Sequence, residues 1–239
     1  MSRDLRFLTE DGPDTYCQSG CESHPATDIG CFVEGTPVWT DLGLVPIEQL
    51  EPGHMVLSRA EATGAQQYKR VLNTFVHEDK EIWHLSYYDP RREDMGYLYA
   101  TANHPFWMQD AGWVALEDLE PGQNMEFSDG TVAVVYKCDA LYRTSEPNIG
   151  FVTTSFADKY FGFRVDLAHG FRCLSSDGDD LMHHLQRDAP EMHRRVFNIE
   201  VEDFHTYYVG EDGLWVHDIN GSGAHPQIDR TEGFGESVR

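Results

Sequence analysis

The sequence predicts an all-β fold of short, twisted strands arranged as two similar halves. Three observations carry that expectation. Thr36–Thr40, His54–Ser58, Val71–Val76, Ile82–Tyr88 and Tyr97–Thr101 are short runs rich in β-branched and aromatic residues, separated by Gly, Pro and Asp, as half-buried strands require. Asp129-Gly130 stands between Met125–Ser128 and Thr131–Tyr136, and Asp212-Gly213 between Thr206–Val209 and Leu214–His217. Asp-Gly supplies the positive φ angles of tight hairpin turns. The third observation is a repeat: residues 43–53 read GLVPIEQLEPG and residues 112–122 read GWVALEDLEPG, with seven of eleven positions identical and no gap. Pro37-Val38-Trp39 precedes the first copy and Pro105-Phe106-Trp107 the second, offset by one inserted residue. Two copies are too few for a solenoid, which needs three or more, so they read as two halves of one domain.

No run through residues 31–136 shows a helical apolar period. Residues 137–195 differ, because alternation fades and polar residues rise. They read as a partly irregular or helical insertion, with SSDGDD at Ser175–Asp180 a loop and Asp180–Gln186 the start of a short helix. Residues 1–30 read as a leader and residues 219–239, rich in Gly and polar residues, as a flexible tail.

Composition narrows the function classes. The 239 residues are 40% hydrophobic, enough for one domain with an insertion or tails. Lys plus Arg number 18 against 41 Asp plus Glu, a formal net charge of −23. Such a field repels nucleic acid and anionic membranes, so neither is an expected partner. No eighteen-residue apolar stretch offers a membrane span, and MSRDLRFLTEDGPD has no apolar signal core. The expectation is a cytoplasmic chain as given, although a piece of a larger exported toxin system would read the same way. Five cysteines (Cys17, Cys21, Cys31, Cys138 and Cys173) at irregular spacing do not make a disulfide framework.

At Cys31 the sequence becomes specific. CFVEGTPVWTDLGLVPIEQLEPGHMVLSR, from Cys31, resembles the opening of Hint domains. This fold is shared by inteins, hedgehog autoprocessing domains and bacterial pretoxin-associated intein-like domains. LYATANHPFWMQDAGWVALEDLEPGQ resembles the family's Thr-x-x-His block, with Thr101 and His104. VFNIEVEDFHTYYVGEDGLWVHD resembles the closing blocks, with His205 and His217. The wording is nearest the pretoxin type. The resemblance implies a pseudo-two-fold β-domain over residues 31–218 that cuts its own backbone in a single turnover, without cofactor or metal. Its substrate is its own flanking segments, and a toxin or an external thiol or amine is the candidate partner.

The chemistry explains those residue types. A Cys31 thiol can attack the Gly30 carbonyl and convert the amide to a thioester. That step needs a deprotonated thiol, a stabilised oxyanion and a proton for the leaving nitrogen. Gly30 lacks a Cβ, which makes a strained backbone cheaper. The His104 imidazole can take the thiol proton and return it to the nitrogen, while Thr101 can hold the same peptide twisted. His205 and His217 would serve the far end, brought together by the Asp212-Gly213 turn. A buried structural thiol, a turn histidine before Pro105 and an edge-strand histidine beside Trp215 are the bland alternatives, and the three ordered blocks weigh against them.

The sequence departs from the family pattern at three places. Asp218 stands where the family has a cyclising Asn, and a carboxylate is a poor nucleophile for an amide at neutral pH. Ile219 offers no nucleophile to receive an acyl chain, so full splicing is not expected. Asn198 occupies a position where some inteins carry Asp, and it can donate a hydrogen bond but cannot act as a base. Asn220-Gly221 is a back-up candidate for succinimide formation. The rival reading is therefore an inactive Hint scaffold serving as a linker or interaction module, with a carrier for a basic toxin as a third. Asp177, Asp179 and Asp180 lack the closing Glu of a calcium loop. His183, His184 and His193 read as an exposed face, and Cys17-x3-Cys21-x2-His24 is half of a zinc pattern without its partner pair.

Overall fold

The computed structural model describes residues 29–156, 159–168, 172–174 and 189–218. The expectations for the leader up to residue 28, Cys17, Cys21, His24, the Ser175–Asp180 loop, the helix at Asp180–Gln186, His183, His184, Ile219, Asn220 and the tail fall on other residues and lie outside them. The described strands are β1 (Phe32–Val33), β2 (Pro37–Thr40), β3 (Gly43–Pro46), β4 (Met55–Arg59), β5 (Gln66–Glu81), β6 (Trp83–Asp89), β7 (Asp94–Ala100), β8 (Pro105–Met108) and β9 (Gly112–Ala115). They continue as β10 (Asn124–Glu126), β11 (Val132–Arg143), β12 (Ile149–Phe156), β13 (Lys159–Asp166), β14 (Arg172–Leu174), β15 (His193–Val201), β16 (Thr206–Val209) and β17 (Leu214–His217). Single 3₁₀ turns at Ile47–Gln49 and Leu116–Asp118 are the described helical elements, so the fold is all-β.

The repeat is a structural one. β2 pairs with β3 and β8 with β9. The first turn is Asp41–Leu42 and the second Gln109–Ala111, which accounts for the one-residue offset between the copies. Each copy then enters its 3₁₀ turn in the same way: the Ile47 N–H donates to the Thr36 carbonyl and the Leu116 N–H to the His104 carbonyl, both at 2.9 Å. Each ends on a glycine that donates to a following strand, Gly53 to Val71 and Gly122 to Val135, both at 2.8 Å. Gly53 and Gly122 have φ of 104° and 91°, a left-handed conformation that strongly favours glycine. The shared Leu-Glu-Pro-Gly is thus the turn chemistry of one supersecondary unit used twice.

The closing hairpin β16–β17 straddles both halves. Val209 pairs with Val38 of the first half, and Val216 pairs with Phe106 at the equivalent place in the second. Around it Phe32, Val38, Phe106, Leu116, Phe127, Tyr207 and Val216 form the centre of the core. A second cluster, Cys31, Val33, Ile82, Leu141, Val152, Val165, Met192 and Val196, lies against the first.

Residues 137–195 are described in part, and most of the described ones are strand. β11 runs unbroken through Lys137 and stays paired with β6 as far as Ala140. The described residues that follow form an antiparallel arm, β11–β12–β13–β14, while the segment read as a loop and short helix lies outside the described residues. The strand period of the arm is blurred by glycines that other side chains fill: a Cβ on Gly150 would lie 2.8 Å from Leu141, and one on Gly162 would lie 2.2 Å from Phe151. Such close approach of side chain to backbone is a recurring use of strand glycine.

Candidate functional site

Cys31 begins where β1 enters the sheet, and Thr101 holds it at both ends of the residue. The Cys31 N–H donates to Thr101 Oγ1 at 2.9 Å, and the Thr101 N–H donates to the Cys31 carbonyl at 2.9 Å. The Thr101 hydroxyl in turn donates to Asn103 Oδ1 at 2.8 Å. This fixes the Thr101 oxygen as an acceptor aimed at the Gly30–Cys31 peptide. Cys31 is a fully buried thiol whose Sγ–H donates to the Ile29 carbonyl at 3.4 Å.

His104 lies on the other side of the same peptide. The His104 N–H donates to the Thr101 carbonyl, a tight turn that carries the ring back over Gly30. A Cβ added at Gly30 would lie 2.7 Å from His104 Cα and 2.8 Å from Nδ1. Gly30 is not among the residues with positive φ, so glycine is required there for room beside His104 rather than for backbone freedom. The imidazole is fully buried and packs tilted against Phe32, with ring centroids 4.0 Å apart and planes 54° apart. Burial pushes its pKa down to about 3; the Gly30 backbone opposes this slightly and His217 adds to it. The ring is therefore neutral at pH 7, and neither nitrogen has a full hydrogen-bond partner among the described residues.

The far end is assembled by β16 and β17. Thr206 pairs with His217, so His205 and Asp218 face each other one step beyond, and the Asp218 N–H donates to the His205 carbonyl at 2.8 Å. The sequence left this register open. His205 Nδ1 is 3.4 Å and His217 Nδ1 3.7 Å from Asp218 Oδ1, and the two rings stack with centroids 6.5 Å apart. His205 takes a left-handed φ of 55° to make this turn. Asp218 is fully buried, and Oδ2 accepts a hydrogen bond from the Val201 N–H. Burial raises its carboxyl to about 8, with the nearby Glu200 charge adding to the effect. Burial likewise lowers His217 to about 4. At neutral pH the cluster is thus a protonated carboxyl beside a neutral buried imidazole.

All six residues singled out in the sequence, Cys31, Thr101, His104, His205, His217 and Asp218, fall into these two neighbouring groups. Two further residues belong with them. Asn103 orients Thr101, and its signal was its place inside Thr-Ala-Asn-His. Tyr207 is wholly buried and donates to Asn198 Oδ1 at 2.9 Å. In sequence it is one of several strand aromatics, and nothing marked it out. Cys138, by contrast, donates to the Leu119 carbonyl at 2.9 Å, and burial pushes its thiol up to about 11, away from nucleophilic use.

Comparison with known proteins bears on the fold. Residues 38–148 match the family model described as the pretoxin HINT domain. A bacterial intein-like domain from Clostridium thermocellum is 26% identical with a TM-score of 0.51, over 78% of this chain and 97% of that one. The Ssp DnaB mini-intein variant M86 has the same TM-score at 15% identity, over 81% of this chain and 97% of that one, a likeness of fold alone. Among proteins with a curated description, none matches.

Proposed function

We propose that this chain, which matches the pretoxin HINT family model over residues 38–148, cleaves itself at Gly30–Cys31 through a thioester. The observation that supports this most directly is the clamp on one peptide bond: Thr101 Oγ1 accepts the Cys31 N–H while the His104 ring crowds Gly30 from the other side. The Cys31 thiol gives its proton to neutral His104, and the sulfur attacks the Gly30 carbonyl carbon. The Gly30–Cys31 C–N bond breaks, and the nitrogen leaves as an amine with the proton that His104 returns. The product is a thioester between the Gly30 carbonyl and the Cys31 sulfur. Water, or an external thiol or amine, then resolves it and releases residues 1–30. Burial keeps the His104 ring neutral at rest, the form that can accept a proton.

A second, weaker cut belongs to Asp218. Its backbone N–H is held by His205, and its carboxyl lies between the two imidazoles, the surroundings a cyclising side chain needs. The protonated carboxyl is nevertheless a poor nucleophile, so this cut is slow in the native chain. An inert scaffold is the rival account.

Intact mass spectrometry of the purified chain, with and without dithiothreitol and beside Cys31→Ala, tests the reading. Thiol-dependent loss of residues 1–30, absent from Cys31→Ala, is the expected result. A full-length mass unchanged over days at neutral and mildly acidic pH would leave the inert scaffold as the better account.

A further inference from the structure

His84 is a buried histidine that neither end of the reactive site uses. It stands near the start of β6, opposite Asp139 of β11 and Tyr99 of β7. Its side chain is fully buried, and neither ring nitrogen has a hydrogen-bond partner among the described residues. Buried polar groups are paired as a rule, so this ring sits in surroundings chosen for packing. Three aromatic rings lie against it: Phe163 at 4.9 Å, Tyr99 at 5.1 Å and Tyr97 at 5.6 Å between centroids. Tyr97 and Tyr99 come from β7, next to β6 in the sheet. Phe163 comes from β13 of the arm.

The same arm reaches the cluster that buries the nucleophile. Val152 of β12 and Val165 of β13 belong to the apolar cluster that contains Cys31, and Ile29 and Phe163 pack against that cluster. Cys31, Val152 and Val165 are all fully buried. Seating Phe163 on His84 and closing the cluster around Cys31 are thus two consequences of one docked arm.

A proton on His84 is incompatible with that seat. From β11, Lys137 brings a second cation, and Asp139 is engaged by Lys137 in an ion pair. From β7, Tyr97 and Tyr99 present phenol rings. On β13, Arg164 and Asp166 alternate to the side opposite Phe163. The attraction of a cation to aromatic faces is smaller than the cost of burying an unpaired charge. Burial accordingly lowers the His84 pKa to about 3, and Lys137 adds to the effect.

We propose that His84 is a pH latch for the arm: the neutral ring seats Phe163 and keeps Cys31 covered, and protonation in a mildly acidic medium lets the arm open and admits an external nucleophile to Cys31. The latch rests on the self-cleavage reading for its purpose, but not for its physical test. An open arm returns His84 to water, where it binds a proton with an ordinary pKa of about 6.5. Opening is then favoured about tenfold more for each pH unit below about 6.

Hydrogen exchange of the full-length chain between pH 7.5 and 5, read by mass spectrometry and corrected with unfolded chain, tests this. His104→Gln keeps the chain whole and removes a second deeply buried histidine. Protection of the β12 and β13 amides should fall about tenfold per pH unit below about 6, with the β16 amides better protected throughout. His84→Phe keeps an aromatic ring without a titrating group and should abolish the slope. Phe163 is only partly buried, so Phe163→Ala admits water to His84 in the docked arm. It should lower arm protection at pH 7.5 and flatten the slope, and it decides the matter if His84→Phe fails to fold. A dipyridyl disulfide, which reacts with thiols in acid, should modify Cys31 at pH 5 about tenfold faster with His84 than with His84→Phe. Arm protection that does not change with pH, or a slope that survives both variants, would overturn the latch. Arm amides that exchange in step with β16 would overturn it too, because the arm would then open only with the whole domain. Equal rates of Cys31 modification would overturn the covering of Cys31. A native chain that never releases residues 1–30 would overturn the self-cleavage reading instead, and the exchange would still decide for or against the latch.

Discussion

A missing methyl group beside His104 ties the reactive bond to its base. Because a Gly30 Cβ would lie 2.7 Å from His104 Cα, the clash is with backbone and cannot be relieved by a rotamer change. Gly30→Ala should therefore slow N-terminal release at least tenfold, since a misplacement of about 1 Å costs around a hundredfold where positioning matters. Mass spectrometry of the thiol-treated variant measures this, and release at the native rate would show that the close packing is irrelevant to the reaction. The other end offers the opposite experiment. Asp218 lies between His205 and His217 with its N–H bonded to the His205 carbonyl, so only the nucleophile is poor. Asp218→Asn supplies the side chain that the family pattern has there, and residues 219–239 should be lost from that variant faster than from the native chain. If the tail stays attached in Asp218→Asn, the histidine pair is a packing arrangement rather than a second centre.

Hairpin β16–β17 is the element on which the far end depends, and its turn is fastened to the rest of the sheet. Tyr87 donates to Asp212 at 2.9 Å and Arg92 donates to it at 2.8 Å, while Arg91 joins the buried Asp89 to Asp129 of the next turn. Gly213 has a φ of 75°, and a Cβ there would lie 2.8 Å from Ser128 Oγ and 3.0 Å from Trp39. Gly130 has a φ of 82° and nothing within 4 Å of its Cβ position. Gly130→Ala should thus cost the left-handed penalty alone, about 1–2 kcal/mol, and Gly213→Ala distinctly more, both read from urea unfolding. Equal losses would mean that Ser128 and Trp39 yield freely. This hairpin was legible in sequence, because Asp-Gly between two apolar runs fixes a turn and the strand bounds Thr206–Val209 and Leu214–His217 follow from it. The Leu-Glu-Pro-Gly units were legible for the same reason: a local turn rule wrote them. The β12–β13 arm was not, because its glycines accommodate side chains from neighbouring strands and erase the alternation that marks a strand. Asn103 and Tyr207 stayed hidden because their roles depend on partners fixed by the fold, Thr101 in one case and Asn198 in the other. The three blocks placed Cys31, Thr101, His104, His205 and His217, but not the contact of Asp218 with both histidines, which needs the register of β16 on β17.

At the scale of the whole molecule, the buried titratable groups set a pH of greatest stability. Burial pushes His84 and His104 down to about 3 and His217 to about 4, from an ordinary 6.5. Each binds a proton in the unfolded chain below about 6.5 that it refuses in the folded one, so their contribution is lost as pH falls through that window. Asp218 has the opposite sign. Its folded value is raised from 3.8 to about 8, so the folded chain keeps a proton that the unfolded chain releases, and stability is lost as pH rises from about 4 to about 8. Below pH 6.5 three groups oppose one, and stability rises with pH. Between about 6.5 and 8 Asp218 acts against the fold with no titrating histidine to offset it, and the growing negative charge of an acidic chain, −23 at pH 7, works in the same direction. The melting temperature followed by calorimetry from pH 4.5 to 8.5 should therefore peak near pH 6.5. Asp218→Ala removes the carboxyl and leaves a cavity, so it should lower the whole curve, but it should also flatten the alkaline limb while keeping the acid one. A native curve still rising at pH 8, or an alkaline limb equally steep without Asp218, would mean that this carboxyl does not hold its proton in the folded chain, and the protonated cluster at the far end would have to be abandoned.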